Sequence, residues 1–150
     1  MALTIYQSGV DMRPVIKAQS TDPSFVGVPT NTWTPLLTSE WGAASFTAPP
    51  SGKVFIALDA AIWNTVTTTS TLWCGWQLYD NVNGVIVESP SEANYLYIKG
   101  SSLGGSRRVY RELTPGGKYS ISVFFRGSSF STNVATTCIR HGQIIIEMIP

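Results

Sequence analysis

The 150 residues are enough for one domain with its own core, since a chain of that length buries roughly 68–70% of its unfolded surface. Ten Lys and Arg against nine Asp and Glu leave a net charge of +1, which argues against a nucleic-acid partner, since that would want a basic face. Charged residues make up 13% of the chain, against about 25% in ordinary domains; with five Trp, six Tyr and six Phe, this points to a surface covered by other subunits or to a neutral Ser/Thr exterior.

In chain order, residues 1–14 hold Asp11 and Arg13 but no basic start followed by an apolar run, so no secretory signal is expected. No stretch approaches the ~20 apolar residues of a membrane span, and membrane insertion is not expected. Residues 1–32 read as an extended arm. Leu3, Ile5, Val10, Val15 and Ile16 keep no sustained period, and Pro14, Pro23 and Pro29 interrupt them. Ser20-Thr21-Asp22-Pro23 and Pro29-Thr30-Asn31-Thr32 are turn or loop signals.

Residues 33–150 read as the body. Trp33 to Thr38 is a short strand confined to an edge or a strand start by Pro35. Ala43 to Ala48 leads into Pro49-Pro50-Ser51-Gly52, where proline presets φ at about −65° and Gly52 accepts a positive φ. Val54, Ile56, Leu58, Ala60 and Ile62 then share one face, and Lys53, Phe55, Ala57, Asp59, Ala61 and Trp63 the other. A period of two over this length predicts a long central strand with an apolar inward face. After a threonine-rich turn, Thr65 to Thr71, residues Leu72, Cys74, Trp76 and Leu78 alternate with Trp73, Gly75, Gln77 and Tyr79. Asn83-Gly84 between Val82 and Val85-Ile86-Val87 predicts a hairpin. Tyr95, Tyr97 and Lys99 alternate with Leu96 and Ile98; a loop follows over Gly100 to Ser106, and then a strand over Arg107 to Leu113. Thr114-Pro115-Gly116-Gly117 turns into Tyr119, Ile121, Val123 and Phe125. A Ser-rich loop, Gly127 to Thr132, precedes a last strand over about Val134 to Ile149. No segment carries a helical apolar stripe. Eight to ten strands with turns at this spacing mean an all-β sandwich or barrel.

The residues that carry chemistry are few. His141 is the only histidine, and no metal-ligand spacing surrounds it; it reads as a structural or interface residue. Cys74 and Cys138 lie 64 positions apart inside strand patterns and read as two buried thiols, with a bridge between them as the alternative that neither spacing nor context supports. The G-x-S-x-G elbow of a serine nucleophile is absent, and the glycine-rich loop lacks the G-K-[ST] of a phosphate cradle. Asp59, flanked by Ala57 and Ala61, needs a partner, expected to be an arginine of a neighbouring strand or subunit. No catalytic residue, cofactor or metal is expected. Lys99, Arg107, Arg108, Arg111, Lys118 and Arg126 lie within 28 residues with only Glu112 opposing them. They read either as a docking face for an acidic surface or as a solvated strand face. Trp73, Tyr79, Tyr95 and Tyr97 form a candidate platform for a glycan, or else cross-strand packing pairs.

Phe46-Thr47-Ala48-Pro49-Pro50-Ser51-Gly52-Lys53-Val54 resembles the opening of a β-sandwich in small virion proteins of tailed, actinobacterial-type bacteriophages. Leu113-Thr114-Pro115-Gly116-Gly117-Lys118-Tyr119 is similar to a turn of the same family, and Arg140 to Pro150 to its closing strand. The resemblance implies a jelly-roll β-sandwich like the tumour-necrosis-factor and complement-type domains, assembled as a homotrimer. The expected role is a non-enzymatic minor tail or capsid decoration protein, located in the virion and assembled in the host cytoplasm. Its partners would be the major capsid protein or tail proteins. The arm, with Met12, Arg13, Pro14, Val15 and Ile16 at its centre, is expected to anchor it. The alternative is an adhesin that contacts host-surface glycan.

Overall fold

A computed structural model of the chain describes residues 6–7, 9–18, 26–27, 32–36, 41–64, 71–91, 94–99, 104–128 and 137–150. Every regular element among them is a strand. The N-terminal segment carries β1 (Tyr6–Gln7), β2 (Val10–Asp11), β3 (Val15–Ala18) and β4 (Val26–Gly27). Then come β5 (Thr34–Pro35), β6 (Ala43–Thr47), the long β7 (Lys53–Asn64) and β8 (Thr71–Asp80). The short β9 (Val85–Glu88) and β10 (Leu96–Lys99) precede β11 (Gly104–Glu112), β12 (Lys118–Ser128) and β13 (Thr137–Met148).

Two antiparallel sheets form the sandwich. In the first, β8 and β12 are central; β9 and β10 share the free side of β8, and β5 and β6 share the free side of β12. In the second, β7 and β13 are central, with β11 beyond β7 and with β3 and β4 sharing the free side of β13. The chain crosses between sheets from β4 to β5, from β6 to β7, from β7 to β8, from β10 to β11, from β11 to β12 and from β12 to β13. This is a jelly roll, as expected. The thirteen strands of the described residues outnumber the eight to ten expected because three edge positions are each filled by two short pieces and because β1 and β2 pair as a separate two-stranded sheet.

The arm segment enters the body: Val15 to Ala18 pair with Gln143 to Ile146, and Val26 and Gly27 with Cys138 and Ile139. β11 begins at Gly104 and β12 runs to Ser128, so part of each expected loop is strand. The rest of those loops, the turn expected over Thr65 to Thr71 except Thr71 itself, and the turn signals at Ser20-Thr21-Asp22-Pro23 and Pro29-Thr30-Asn31 lie outside the described residues. So do the side chains of Lys99, Cys138 and His141.

The core lies between the sheets, where the alternation placed it. Val54, Ile56, Leu58 and Ala60 of β7 and Ile144 and Ile146 of β13 are buried against Cys74, Trp76 and Leu78 of β8 and Ile121, Val123 and Phe125 of β12. Each large side chain enclosed this way contributes about 1.5–3 kcal/mol relative to exposure. Trp41 is fully enclosed in the same cluster.

The turn into β7 binds the sandwich to its far end. Gly52 has φ 72°, donates its N–H to the carbonyl of Pro49 and accepts the N–H of Leu113. Ser51 Oγ donates to the carbonyl of Ile149. A Cβ on Gly52 would lie 2.2 Å from the Leu113 oxygen, whereas one on Gly116, with φ 71°, would meet nothing within 4 Å. The left-handed backbone alone costs about 1–2 kcal/mol for a side chain. Gly52→Ala is therefore expected to destabilise the fold by clearly more than Gly116→Ala in urea denaturation. Equal losses would show that φ, and not the contact with Leu113, governs the turn.

Candidate functional site

The interior offers no chemistry among the described residues. Cys74 is a free, fully buried thiol, and desolvation pushes its pKa up to about 12, away from reactivity. No three His, Cys, Asp or Glu among the described residues are grouped to hold a metal. Asp59 faces outward from β7, opposite Ser106 and Gln143, and Gln143 Nε2 donates to its Oδ2 at 2.5 Å. Among the described residues its hydrogen-bond partner is thus an amide of the adjacent strand, in place of the expected arginine of a neighbouring strand. The register decides this, because the arginines of β11 sit opposite Leu58, Ala57 and Val54. The pair lies in a shallow depression of about 390 Å³ walled by Ala18, Ala61, Gly104 and Gly142. One carboxylate held by an amide supplies no acid/base couple.

The expected anchoring residues fall on one edge of the second sheet, with unequal exposure. Met12 is buried on the body, and Val15 packs partly against the core. Arg13 and Pro14 are exposed; the Arg13 guanidinium pairs with Asp11 at 2.5 Å and holds that carboxyl below its ordinary pKa. A cleft of about 490 Å³ runs between this segment and the body, lined by Val10, Asp11, Arg13, Pro14, Thr47 and Met148. Ile16 remains 56% exposed. It stands opposite Ile145, which stands opposite Ala57, so the outer face carries an apolar row leading to Arg108. Arg108 lies 3.9 Å over the Phe55 ring and pairs with Glu147, and Tyr110 meets Phe55 edge-on at 5.7 Å.

The expected aromatic platform is divided. On the outer face of the first sheet, Tyr97 lies opposite Trp73, and Trp73 opposite Arg126. The rings of Trp73 and Tyr97 are 5.4 Å apart. The Arg126 guanidinium is held between two indoles, 4.9 Å from Trp73 and 5.0 Å from Trp33. Gly75 gives Trp33 room: a methyl there would meet the indole at 3.4 Å and the buried Asn94 at 3.2 Å. Asn94 Nδ2 donates to the carbonyls of Trp76 and Ser89, which fixes the approach to β10. Tyr79 shares the face of Trp73 but lies six residues along β8, roughly 20 Å away at the usual rise per residue. Tyr95 is half-buried just before β10. Trp33 and Arg126 were not in the expected platform; the only sequence signal for them is β12 alternation, which puts Arg126 outward beside buried Phe125.

The basic residues disperse. Arg111 is partly buried and reaches from β11 to Glu88 of β9, with its Nε 2.9 Å from Glu88 Oε2, while Trp76 Nε1 donates to the same oxygen at 3.3 Å. Arg107 and Lys118 are exposed. The β8–β9 hairpin leaves Val82, Val85, Ile86 and Val87 at least half exposed. Leu78 faces Glu88 while Tyr79 faces Ile86, so Val87 is an extra residue in β9. Such a bulge keeps a short apolar edge from extending.

No protein-family model matches the chain, and no curated protein matches it. Among solved structures it is similar to a chain of the infectious bursal disease virus T13 particle, at 14% identity and TM-score 0.58 over 93% of this chain and 32% of that one. It is also similar to a chain of the infectious bursal disease virus Gt strain, at 10% identity and TM-score 0.52 over 99% of this chain and 38% of that one. The globular domain of zebrafish complement 1qA protein matches at 13% identity and TM-score 0.41, over 91% and 95%. The chain spans about a third of the length of the two viral chains. At these identities the likeness is one of fold: an all-β jelly roll similar to chains of virus particles.

Asp80 closes the exposed hairpin. Its Oδ1 accepts the N–H groups of Val82 and Asn83 at 2.8 and 3.0 Å, and Asn83 Nδ2 donates to its Oδ2 at 2.7 Å. These bonds, led by those from Asn83, hold its pKa below the ordinary aspartate value. A depressed folded pKa stabilises above the unfolded pKa, about 3.9, and that contribution is lost as pH falls through the folded pKa. Asp80→Asn keeps an acceptor for the turn and is expected to flatten the decline of stability below about pH 4. An unchanged acid slope in thermal melts would remove Asp80 from the acid response.

Proposed function

We propose that this chain is a non-enzymatic structural protein on the surface of a tailed-phage virion, a trimeric accessory protein attached to the capsid or tail through its N-terminal segment. The observation that carries the reading is Ile16, a large apolar side chain left mostly in water on an edge strand that the arm adds to the body. Ile16 continues the outer apolar row through Ile145 and Ala57, and assembly would bury it at about 25 cal/mol per Å² of apolar area. The jelly-roll likeness to a chain of a viral particle and the resemblance of the turn motifs to phage virion proteins support the same reading. Met12 and Val15 hold the segment to its own body, and Pro14 and Ile16 are free to meet the neighbour.

A second reading, a receptor-binding module for host-surface glycan, is favoured by one observation: the outward row of Tyr97, Trp73, Arg126 and Trp33. The two readings use opposite faces of the sandwich and are compatible in one protein.

Ile16→Asp tests the first. Because the residue is exposed, the melting temperature is expected to hold, with a stability change within about 0.5 kcal/mol. The sedimentation coefficient should fall from that of three protomers toward one, and incorporation into particles should drop. A variant that remains trimeric and incorporates normally would overturn the anchoring role.

A further inference from the structure

We infer that the row Tyr97–Trp73–Arg126–Trp33 is a binding site for a carboxylate-bearing sugar, such as a uronic acid residue of a surface polysaccharide; this rests on the glycan-binding reading and names its ligand class. The row crosses four neighbouring chain segments on one outer face: Tyr97 on β10, Trp73 on β8, Arg126 on β12 and Trp33 just before β5. At 4.7–4.9 Å between strands, its length is roughly 14 Å. Tyr97 is 47% exposed, and Trp33, Trp73 and Arg126 are each partly exposed. The row is therefore both accessible and anchored.

Arg126 sets the ligand's charge. Its guanidinium carbon lies over the rings of two indoles, 4.9 Å from the Trp73 centroid and 5.0 Å from that of Trp33, which together hold the cation on the outer face. It forms no ion pair with a carboxylate of the described residues, and its Nε is buried without a hydrogen-bond partner among them. With Nε enclosed, the two terminal nitrogens are the edge that can offer a planar carboxylate two parallel N–H bonds. The flanking aromatic rings set the rest of the ligand. Their negative faces attract the C–H-lined face of a pyranose ring, and Tyr97 beside Trp73 offers that surface next to the cation. A polyphosphate chain, charged at every repeat, calls for a line of cations, whereas this row carries one cation among aromatics.

The test titrates the full chain with galacturonate, glucuronate and mannuronate oligosaccharides and with the same oligomers methyl-esterified, followed by tryptophan fluorescence. The acid form of at least one is expected to bind on the order of tenfold more tightly than its ester. Arg126→Gln should abolish that preference, and Arg126→Lys should restore only part of it, since an ammonium lacks the fork. The ester comparison uses the unaltered protein, so it stands even if the Arg126 variants fold poorly. Equal affinity for acid and ester would overturn the carboxylate assignment and leave the glycan reading intact. Tighter binding of a polyglycerol phosphate would overturn it in favour of a phosphate ligand. No binding of any of these sugars would remove both the assignment and the glycan reading.

Discussion

The pairing of β8 with β12 is the constraint on which the rest of the structure depends. Ten residue pairs run from Tyr119 opposite Asp80 to Ser128 opposite Thr71. In this register Leu78 meets Ile121, Trp76 meets Val123 and Cys74 meets Phe125, all buried. The same register puts Trp73 and Arg126 opposite one another on the outside. A slip of one residue would exchange the two faces, sending Arg126 into the core and Phe125 into water. Burial of the inner face thus fixes the outer row, and the candidate site follows from the core.

The second sheet closes over the first with few polar devices. At one edge Arg111 and Glu88 join β11 to β9, with Trp76 adding a hydrogen bond from beneath. Partly buried, this pair is less screened than those at Arg13 and Arg108, whose side chains are about half exposed. At the other edge the N-terminal segment supplies β3 and β4 to β13, so the arm completes a sheet before it can meet any neighbour. Between the sheets the described core is filled by apolar side chains.

Much of the fold was legible in the sequence because its central strands are long and strictly alternating. The inward set on β7 at Val54, Ile56, Leu58 and Ala60 is buried as the period of two required. The Asn83-Gly84 hairpin and the Thr114–Gly117 turn fall where their residues placed them, with Gly84 and Gly116 at positive φ. The edges were not legible. Two-residue strands such as β4 and β5 are too short to show a period, and a proline-broken segment gives no sign of the strand it joins. The candidate site was half legible. Trp73 and Tyr97 stood out as aromatics on strands, but their union with Arg126 and Trp33 depends on pairing between residues about 50 to 90 positions apart, which local pattern does not encode. Asp59 shows the same limit, since its partner Gln143 arrives from a strand 84 residues away.

We propose a virion jelly roll whose inner faces serve stability and whose two outer faces serve assembly and recognition. Its most direct test is the copy number of this chain in purified particles, measured by quantitative mass spectrometry against the major capsid protein. The account predicts that the chain is present and that its copies per particle are a multiple of three. Absence from the particle would contradict it.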